Sequence, residues 1–410
     1  MFKDLKRTLR SMKAVKLRRE FHSEPIYHDG FELMNEMLHP VYQILKIVKV
    51  KKLSRNVTLL RGVSDKPKGS KERTISAIIG NTLAPFRAGQ YIGVKVDIDG
   101  VKTGRAYSIV SSPNNLSYYE IAVKDLGADG FVSPYLCNEV KVGDRLEVTE
   151  PLGNFYYNRL FHGKNLVFIA GGCGVTPFIS MLRHFYENHA PYNVHLIYGC
   201  LTEKDILFGE EMKRMSEERD NFSLTIVLSE PESSWTGTTG FITKDVIKSA
   251  VGSLDDSMIY IVGPDLMREF LLDELESFNI PSNRIVWEIA PPISDITKSV
   301  GWPSDLSEED RFECKVNWMH LGQRRSKKIK IKCTEPLLNS IERAQLDGVN
   351  VDNACRAGEC ALCRTRMVKG NVYVPEHVHI RDTDREQGYI HPCVSYPVDD
   401  LEIELFSKNR

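Results

Sequence analysis

Three cysteines, Cys355, Cys360 and Cys363, fall within nine residues, and Cys393 follows downstream, giving the spacing C-x4-C-x2-C-x29-C. Thiolates are soft, anionic ligands. Four of them at this spacing suit a [2Fe–2S] cluster. Ala357, Gly358 and Ala361 are small, so the backbone can wrap closely and turn its N–H groups toward the sulfurs, where hydrogen bonds help to set a potential. Two readings compete. Packing alone rarely gathers three cysteines so tightly. Zinc sites usually pair cysteines as C-x2-C twice, and only one such pair is present. A cluster stores one electron and makes no bonds, so another part of the chain must load it.

Two further stretches carry chemistry. The first is Arg105-Ala106-Tyr107-Ser108 on an alternating, strand-like segment. A flavin needs a flat surface for its ring, a cation for its phosphate and a polar group near N5, which Tyr107, Arg105 and Ser108 can supply in turn. Gln90 and Tyr91, after Phe86 and Gly89, form the turn and strand before it. Lys124 and then Gly130, Phe131, Val132 and Ser133 follow, with backbone N–H groups suited to a pyrophosphate. Alone, this string is an ordinary strand with a surface Arg and Tyr. Its combination with the turn and the glycines is specific. The second stretch is Gly171-Gly172-Cys173-Gly174-Val175-Thr176-Pro177, directly after the apolar run Leu166–Ala170. Its glycines permit a tight turn and offer a helix N-terminus to a dinucleotide, although a purely structural strand-to-helix turn reads the same way. Gly263, Pro264 and Met267 follow another apolar run, and such strand ends are where ligands sit on a parallel sheet.

The elements that must position these residues change character along the chain. Residues 1–39 form an extension whose first twenty carry eight Lys/Arg against Asp4 and Glu20. Phe2, Leu5, Leu9 and Met12 recur at helical spacing there, which reads as a frayed terminus or as a basic helix for docking a partner. Short alternating strands over 40–155, at Tyr42–Val50, Val57–Arg61, Thr74–Ile79, Tyr91–Asp97, Ala106–Val110, Tyr118–Lys124 and Arg145–Thr149, predict an antiparallel flavin-binding β-barrel. Apolar runs alternating with helical segments over 160–290 predict an α/β parallel-sheet nucleotide-binding domain. Residues 291–310, rich in Pro and Ser, read as a flexible linker with a mean span of roughly 25 Å. Over 311–410 a hairpin-like pair (Phe312–Trp318, Lys328–Lys332), a helix (Leu337–Gln345), the cysteine loop and a closing strand (Leu401–Phe406) form an α+β domain.

The cysteine spacing resembles that of the plant-type ferredoxin family, at all four positions. Residues 40–290 look like the ferredoxin–NAD(P)+ reductase family. The domain order over 40–410 resembles the reductase components of multicomponent oxygenases and hybrid-cluster NADH oxidoreductases. The resemblance implies a β-grasp-like last domain with Cys355, Cys360, Cys363 and Cys393 as metal ligands. It further implies that Arg105, Tyr107 and Ser108 touch the flavin and that Gly172, Gly174 and Thr176 touch the nicotinamide nucleotide. Glu288 matches a position often held by Glu, with an ordinary surface carboxylate as the alternative, so Ser108, Thr176 and Glu288 are the catalytic candidates. Two departures stand out. Val262-Gly263-Pro264 replaces the usual Cys-Gly-Pro. Tyr198-Gly199 is followed by Cys200 and Leu201 rather than by a basic residue, which favours NADH over NADPH, although Lys204 is near. FAD is preferred on family frequency, with FMN as the alternative.

The expected function is an NADH-dependent oxidoreductase that passes electrons through FAD and a [2Fe–2S] cluster to a partner redox protein, a metalloenzyme or an oxygenase. Two alternatives are a non-catalytic electron-transfer or docking subunit and reverse flow from a reduced partner to NAD+. A formal net charge of −1 over 410 residues argues against a nucleic-acid partner. No apolar run is long enough to span a membrane. The five cysteines outside the cluster motif are irregularly spaced, which predicts a reducing, cytoplasmic compartment. Cys173 and Cys200 read as packing residues without chemistry. His22, His28 and His39 read as solvated. His377, His379 and His391 lie between the third and fourth cysteines, but a Rieske arrangement is rejected because four cysteines are already present. Residues 311–410 hold seventeen Lys/Arg and fourteen Asp/Glu, unlike the acidic surface of free plant ferredoxins.

Overall fold

The computed structural model describes residues 42–65, 82–288, 295–347, 349–378 and 380–405. The basic segment 1–20, the strand expected over 74–79, the three N-terminal histidines and His379 lie outside the described residues. Six antiparallel strands open the fold: β1 (Tyr42–Lys52), β2 (Val57–Ser64), β3 (Tyr91–Ile98), β4 (Val101–Ser108), β5 (Tyr118–Lys124) and β6 (Arg145–Thr149), in the order β4-β3-β6-β1-β2-β5. Alternation along each strand sends Leu45, Ile47, Leu60, Ile92, Val94, Ile121 and Val148 into one core. A bridge between Ile109 and Ile121 joins the two ends of the sheet, closing the barrel. Strand β4 begins five residues earlier than its expected start at Ala106, because Asp99 and Gly100, with φ of 52° and 80°, make a two-residue hairpin turn from β3. Helix α1 (Ser133–Asn138) precedes β6.

The next sheet is parallel, in the order β10-β9-β8-β7-β11-β12. It contains β7 (Asn165–Gly171), β8 (Asn193–Cys200), β9 (Phe222–Leu228), β10 (Thr238–Thr239), β11 (Ser257–Val262) and β12 (Ile285–Trp287). The connecting helices are α2 (Thr176–Glu187), α3 (Gly209–Glu218), α4 (Lys244–Val251) and α5 (Asp265–Glu276). Strands β7 and β11 are fully apolar inside because helices cover both faces. The chain winds outward from β7 in one direction and returns to β11 on its other side, so a crevice opens at the β7 and β11 carboxyl ends. Barrel and sheet share a continuous core: Val57, Leu59, Ala88, Val110, Ala122 and Phe155 join Phe168, Phe178 and Tyr260 in one cluster.

The C-terminal domain is a β-grasp. Hairpin β13 (Arg311–His320) and β14 (Gln323–Lys332) is followed by α6 (Leu337–Arg343), β15 (Thr365–Lys369), the short pair β16 (Val372–Tyr373) and β18 (Tyr396–Pro397), α7 (Asp382–Glu386), β17 (Tyr389–Ile390) and β19 (Leu401–Leu405). The main sheet runs β14-β13-β19-β15-β17, with β19 parallel to β13. Helix α6 stops two residues short of the expected Gln345, which has φ 45° and turns its amide to Asp99 O of the barrel, 3.2 Å away. Residues 295–310 correct the expectation of a slack linker. Ile296 is buried, Trp302 packs edge-on against Tyr373 and Tyr396, and the Tyr373 hydroxyl donates to Ser299 Oγ (2.7 Å). Apolar and aromatic side chains strap this segment to the β-grasp domain, a role that its Pro and Ser content concealed.

Candidate redox site

The cysteine loop crosses between α6 and β15. Its thiols lie in hydrogen-bonded sequence, Cys360 to Cys355 to Cys393 to Cys363, with 3.4 Å between the sulfurs of Cys363 and Cys393. A row of four sulfurs fits a two-iron centre better than one tetrahedral zinc. Backbone N–H groups of Ala357 and Cys360 point at Cys355 Sγ, at 3.3 and 3.4 Å. Hydrogen bonds from Cys360 and Cys393, with these amides, push the Cys355 thiol down, while Cys360 and Cys393 are pushed up. The loop wraps tightly through positive φ at Arg356 (53°), Gly358 (81°) and Ala361 (54°). A Cβ at Gly358 would come within 2.7 Å of Val378, so only glycine fits there. His391 is fully buried and braces the loop, with Nδ1 2.8 Å from Gly358 O and Nε2 3.0 Å from Asp384. Burial alone would raise the Asp384 pKa, but hydrogen bonds from His391 and Arg364 hold it below the usual range.

Sequence reasoning assigned Arg356 no role. In the fold its buried guanidinium is the hub of the junction with the barrel. It donates to Gly104 O (2.7 Å), Thr103 Oγ1 (2.7 Å) and Asn339 Oδ1 (2.7 Å), and forms an ion pair with Glu342. Thr103 and Gly104 immediately precede the flavin candidates on β4. Around this hub Lys95 bonds Asp352 (3.1 Å), and Asn154 Nδ2 donates to Glu359 Oε1 (2.9 Å). The contacts that cross from the barrel to the cysteine loop join residues between 205 and 257 apart, whereas Asn339 and Glu342 are local to Arg356. The one local signal was an arginine placed inside a loop of small residues.

Around the barrel, Ser108 Oγ donates to Glu288 Oε1 at 3.2 Å, so two of the catalytic candidates from separate domains meet. Glu288 follows β12, where its N–H bonds Ile261 O (3.1 Å). Burial raises its pKa to about 7, the Ser108 hydrogen bond opposes this, and Glu359 of the cysteine loop adds to it. Tyr107 is raised by burial, with Arg105 opposing. Arg105 turns onto its own strand, with Nη1 2.9 Å from Thr103 Oγ1 and 2.8 Å from Gly104 O. Burial and then the Arg356 charge pull its pKa down to about 10. Gln90 staples its turn, donating to Gly153 O (3.1 Å). Ser133 is buried and accepts from Leu126 N (3.3 Å), Val132 lies in the barrel core, and Phe131 and Lys124 are exposed.

At the crevice, Gly171 and Gly263 let strand ends and α5 meet: a Cβ on either would come within 2.6 Å of Met267 Sδ. A Cβ at Gly174 would sit 2.7 Å from Val262 O, so this glycine serves packing. Gly172, with φ 52°, faces open space. Val175 and Pro177 are buried, and Thr176 Oγ1 donates to Cys173 O (3.1 Å) at the start of α2. Burial pushes the Cys173 and Cys200 thiols up to about 11, which keeps them protonated at neutral pH. Lys204, four residues past the end of β8, is paired with Glu232 at 2.8 Å.

Three family descriptions match in succession: "Oxidoreductase FAD-binding domain" over 81–157, "Oxidoreductase NAD-binding domain" over 168–273 and "2Fe-2S iron-sulfur cluster binding domain" over 323–398. The glycine betaine monooxygenase reductase subunit of Chromohalobacter salexigens is 27% identical over 334 residues, 78% of this chain and 87% of that protein. NADH oxidoreductase HCR of Escherichia coli is 28% identical over 328 residues, 80% and 91% of the two chains. NADH-cytochrome b5 reductase 1 of Dictyostelium discoideum is 30% identical over 199 residues, covering 48% of this chain and 68% of that protein. The solved structure of phthalate dioxygenase reductase superposes with a TM-score of 0.60 at 22% identity, over 89% of this chain and 98% of that one, and shares the fold. The cofactor set is FAD, NADH and a [2Fe–2S] cluster. The chain belongs to the ferredoxin–NAD(P)+ reductase family of flavoproteins, in the form that carries its own C-terminal [2Fe–2S] domain, and is an NADH-dependent oxidoreductase.

Proposed function

We propose that this chain is the reductase component of a two-protein system whose second member is a terminal oxygenase or related metalloenzyme, and that it works in the cytoplasm. The observation that carries the reading is the contiguity of the two sites. Ser108 of β4 meets Glu288 at the nucleotide crevice, and the same strand is clamped to the cysteine loop by Arg356 through Gly104 O. Bound flavin supplies two-electron acceptance from NADH with one-electron release, and a bound [2Fe–2S] centre supplies one-electron storage.

The chain's own residues bind and orient. Cys355, Cys360, Cys363 and Cys393 would hold the cluster, and the Ala357 and Cys360 amides, which point at Cys355 Sγ, would stabilise the thiolate's negative charge. Tyr107 and Ser108 would hold the flavin, and Arg105 would supply positive charge to it. Gly172, Gly174 and Thr176 form the nucleotide turn, with Gly263 and Met267 across the crevice. Glu288, raised to about 7, holds a proton on its carboxyl near neutral pH and keeps Ser108 Oγ turned across the cleft. The pairing of Lys204 with Glu232 supports NADH, since this lysine is already engaged by a carboxylate. All nine cysteines are unpaired, which supports a reducing compartment.

The test is an anaerobic NADH titration of the full chain and of Cys360→Ser. NADH should bleach flavin and iron–sulfur bands in the natural chain. In the variant it should bleach flavin alone, and transfer to the acceptor should be lost. Transfer that survives in Cys360→Ser sinks the proposed route.

A further inference from the structure

Strand β14 carries Arg324, Arg325, Lys327, Lys328, Lys330 and Lys332 within its ten residues, and every residue from Gln323 to Lys328 is exposed. The strand is an edge of the β-grasp sheet. That accounts for some of the charge, because lysines on an edge discourage pairing with a second sheet. Edge protection does not account for where the charges point. Side chains alternate, so Arg324, Lys328, Lys330 and Lys332 share the face turned away from Ile329 and Ile331, which pack into the domain core. On β13 the same face holds Arg311 and Lys315, in register with Lys332 and Lys328. Like charges set directly opposite each other destabilise a sheet, and here two such pairs are kept. Glu309, Glu313 and Glu402 engage Lys332, Lys328 and Lys315. Arg311, Arg324 and Lys330 have no ion pair among the described residues. The outcome is a flat, cationic sheet face.

The hairpin tip adds an apolar element. The described pairing of β13 with β19 ends at Trp318, so Met319 to Arg324 stand beyond it. The two-residue turn is Leu321-Gly322, with φ of 48° and 75°. Asn or Asp is the usual choice at the first position of such a turn, and a bulky side chain at positive φ is uncommon. Leu321 is nevertheless there, 88% exposed, and Met319, on the same face as Arg324, is 43% exposed. Neither core packing nor turn geometry calls for that leucine. The patch also stands apart from the electron path. Strands β13 and β19 separate β14 from β15, where the cysteine loop enters the sheet. Three strand spacings amount to roughly 14 Å.

We propose that the β13–β14 hairpin is a docking surface for an anionic lipid bilayer, with Leu321 entering the boundary between headgroups and acyl chains and the cationic face lying over the headgroups. The cytoplasmic face of a membrane is broad, flat and negative, and each Lys or Arg held near it favours binding. One small apolar anchor with a basic face gives reversible attachment. Among the described residues no helix is long and apolar enough to cross a membrane, so the hairpin would hold the reductase on a surface rather than within it.

The experiment is flotation of the full-length chain with mixed phosphatidylserine–phosphatidylcholine vesicles and with phosphatidylcholine vesicles alone. The chain should float with the mixed vesicles, leave them as salt rises, and ignore the neutral ones. Leu321→Asn suits the turn and removes only the apolar anchor, so it should weaken binding about tenfold with the fold intact. Arg324→Glu combined with Lys330→Glu should weaken it by about twentyfold or more, from a factor of roughly five for each cation. Flavin reduction by NADH should be the same in the natural chain and both variants. No binding to the mixed vesicles overturns the proposal. Binding that neither variant weakens also overturns it, and moves the lipid contact to another stretch such as the basic residues 1–20. Weakening by one variant alone overturns it as well: charge without the tip marks a surface for an acidic protein, and the tip without charge marks an apolar protein contact.

Discussion

Between barrel and nucleotide sheet the hydrophobic core is continuous, with Phe155 set edge-on against both Phe178 and Tyr260. Among the described residues, no core cluster is shared between barrel and β-grasp domain. That domain has apolar clusters of its own, and the junction is built from Arg356, Glu342, Lys95, Asp352, Asn154 and Glu359. A cavity of about 950 Å³, lined by Tyr42, Lys95, Thr103, Asp352, Leu362 and Arg364 among others, lies along the same junction. Shared cores give fixed relative placement, whereas polar junctions resemble transient interfaces. Hydride transfer needs reacting atoms in near contact. One-electron transfer does not make or break a bond, so it tolerates a junction that is specific but less tightly packed.

The contrast can be broken or sharpened. The largest effect is expected from Phe155→Ala, which empties an aromatic site in the shared core and should cost about 3–5 kcal/mol. Calorimetry should show one transition, carrying barrel and nucleotide sheet, moved down, with the β-grasp transition in place. Concerted loss of all three domains would show that the junctions do not differ. Arg356→Ala comes next. It strips the cation from an ion pair whose side chains are 10% and 7% exposed, at about 3 kcal/mol. Stopped-flow mixing should find flavin reduction by NADH unchanged and onward transfer to the cluster slowed. Equal slowing of both steps would mean that the clamp serves the whole molecule.

Glu288→Gln is expected to have a smaller effect, visible in the pH profile. Because the folded carboxyl is raised from 4.5 to about 7, the folded chain binds the proton more tightly than the unfolded chain does. The stability this adds is fully present below pH 4.5 and is lost as pH rises through about 7, by up to about 2 kcal/mol for a group that keeps an edge on the cleft. Denaturant titrations of the nucleotide-free chain should show that slope, and the Gln variant should be flat. The smallest effect belongs to Lys95→Ala. Its pair with Asp352 is 21% and 23% exposed, and about 0.5–1 kcal/mol should be lost, less in high salt.

The cysteine spacing was legible because cluster ligation demands particular atoms at particular intervals. The glycine turn after Leu166–Ala170 was legible because a parallel strand feeding a helix has few alternatives. The early start of β4 was also available, since Asp99-Gly100 is a strong hairpin signal that the apolar pattern overshadowed. Arg356 and Glu359 were not legible as a pair. Their partners are brought together by domain packing, and no local periodicity encodes a contact across two hundred residues. Residues 295–310 misled for a different reason. Their Pro and Ser content described backbone preference, while the anchoring came from the single aromatic Trp302.

Trp302 carries a consequence for inheritance and engineering. Because the strap from Asp295 to Asp310 packs on the β-grasp domain, the seam at which that module can be exchanged lies upstream of residue 295, and not at Arg311 where the first strand begins. A chimera spliced at 311 would leave the strap behind with the donor of the first two domains and strand Tyr373 and Tyr396 without their cover. One spliced before 295 would transplant a self-contained electron module whose remaining obligation is to match the polar sockets at Thr103, Gly104 and Lys95.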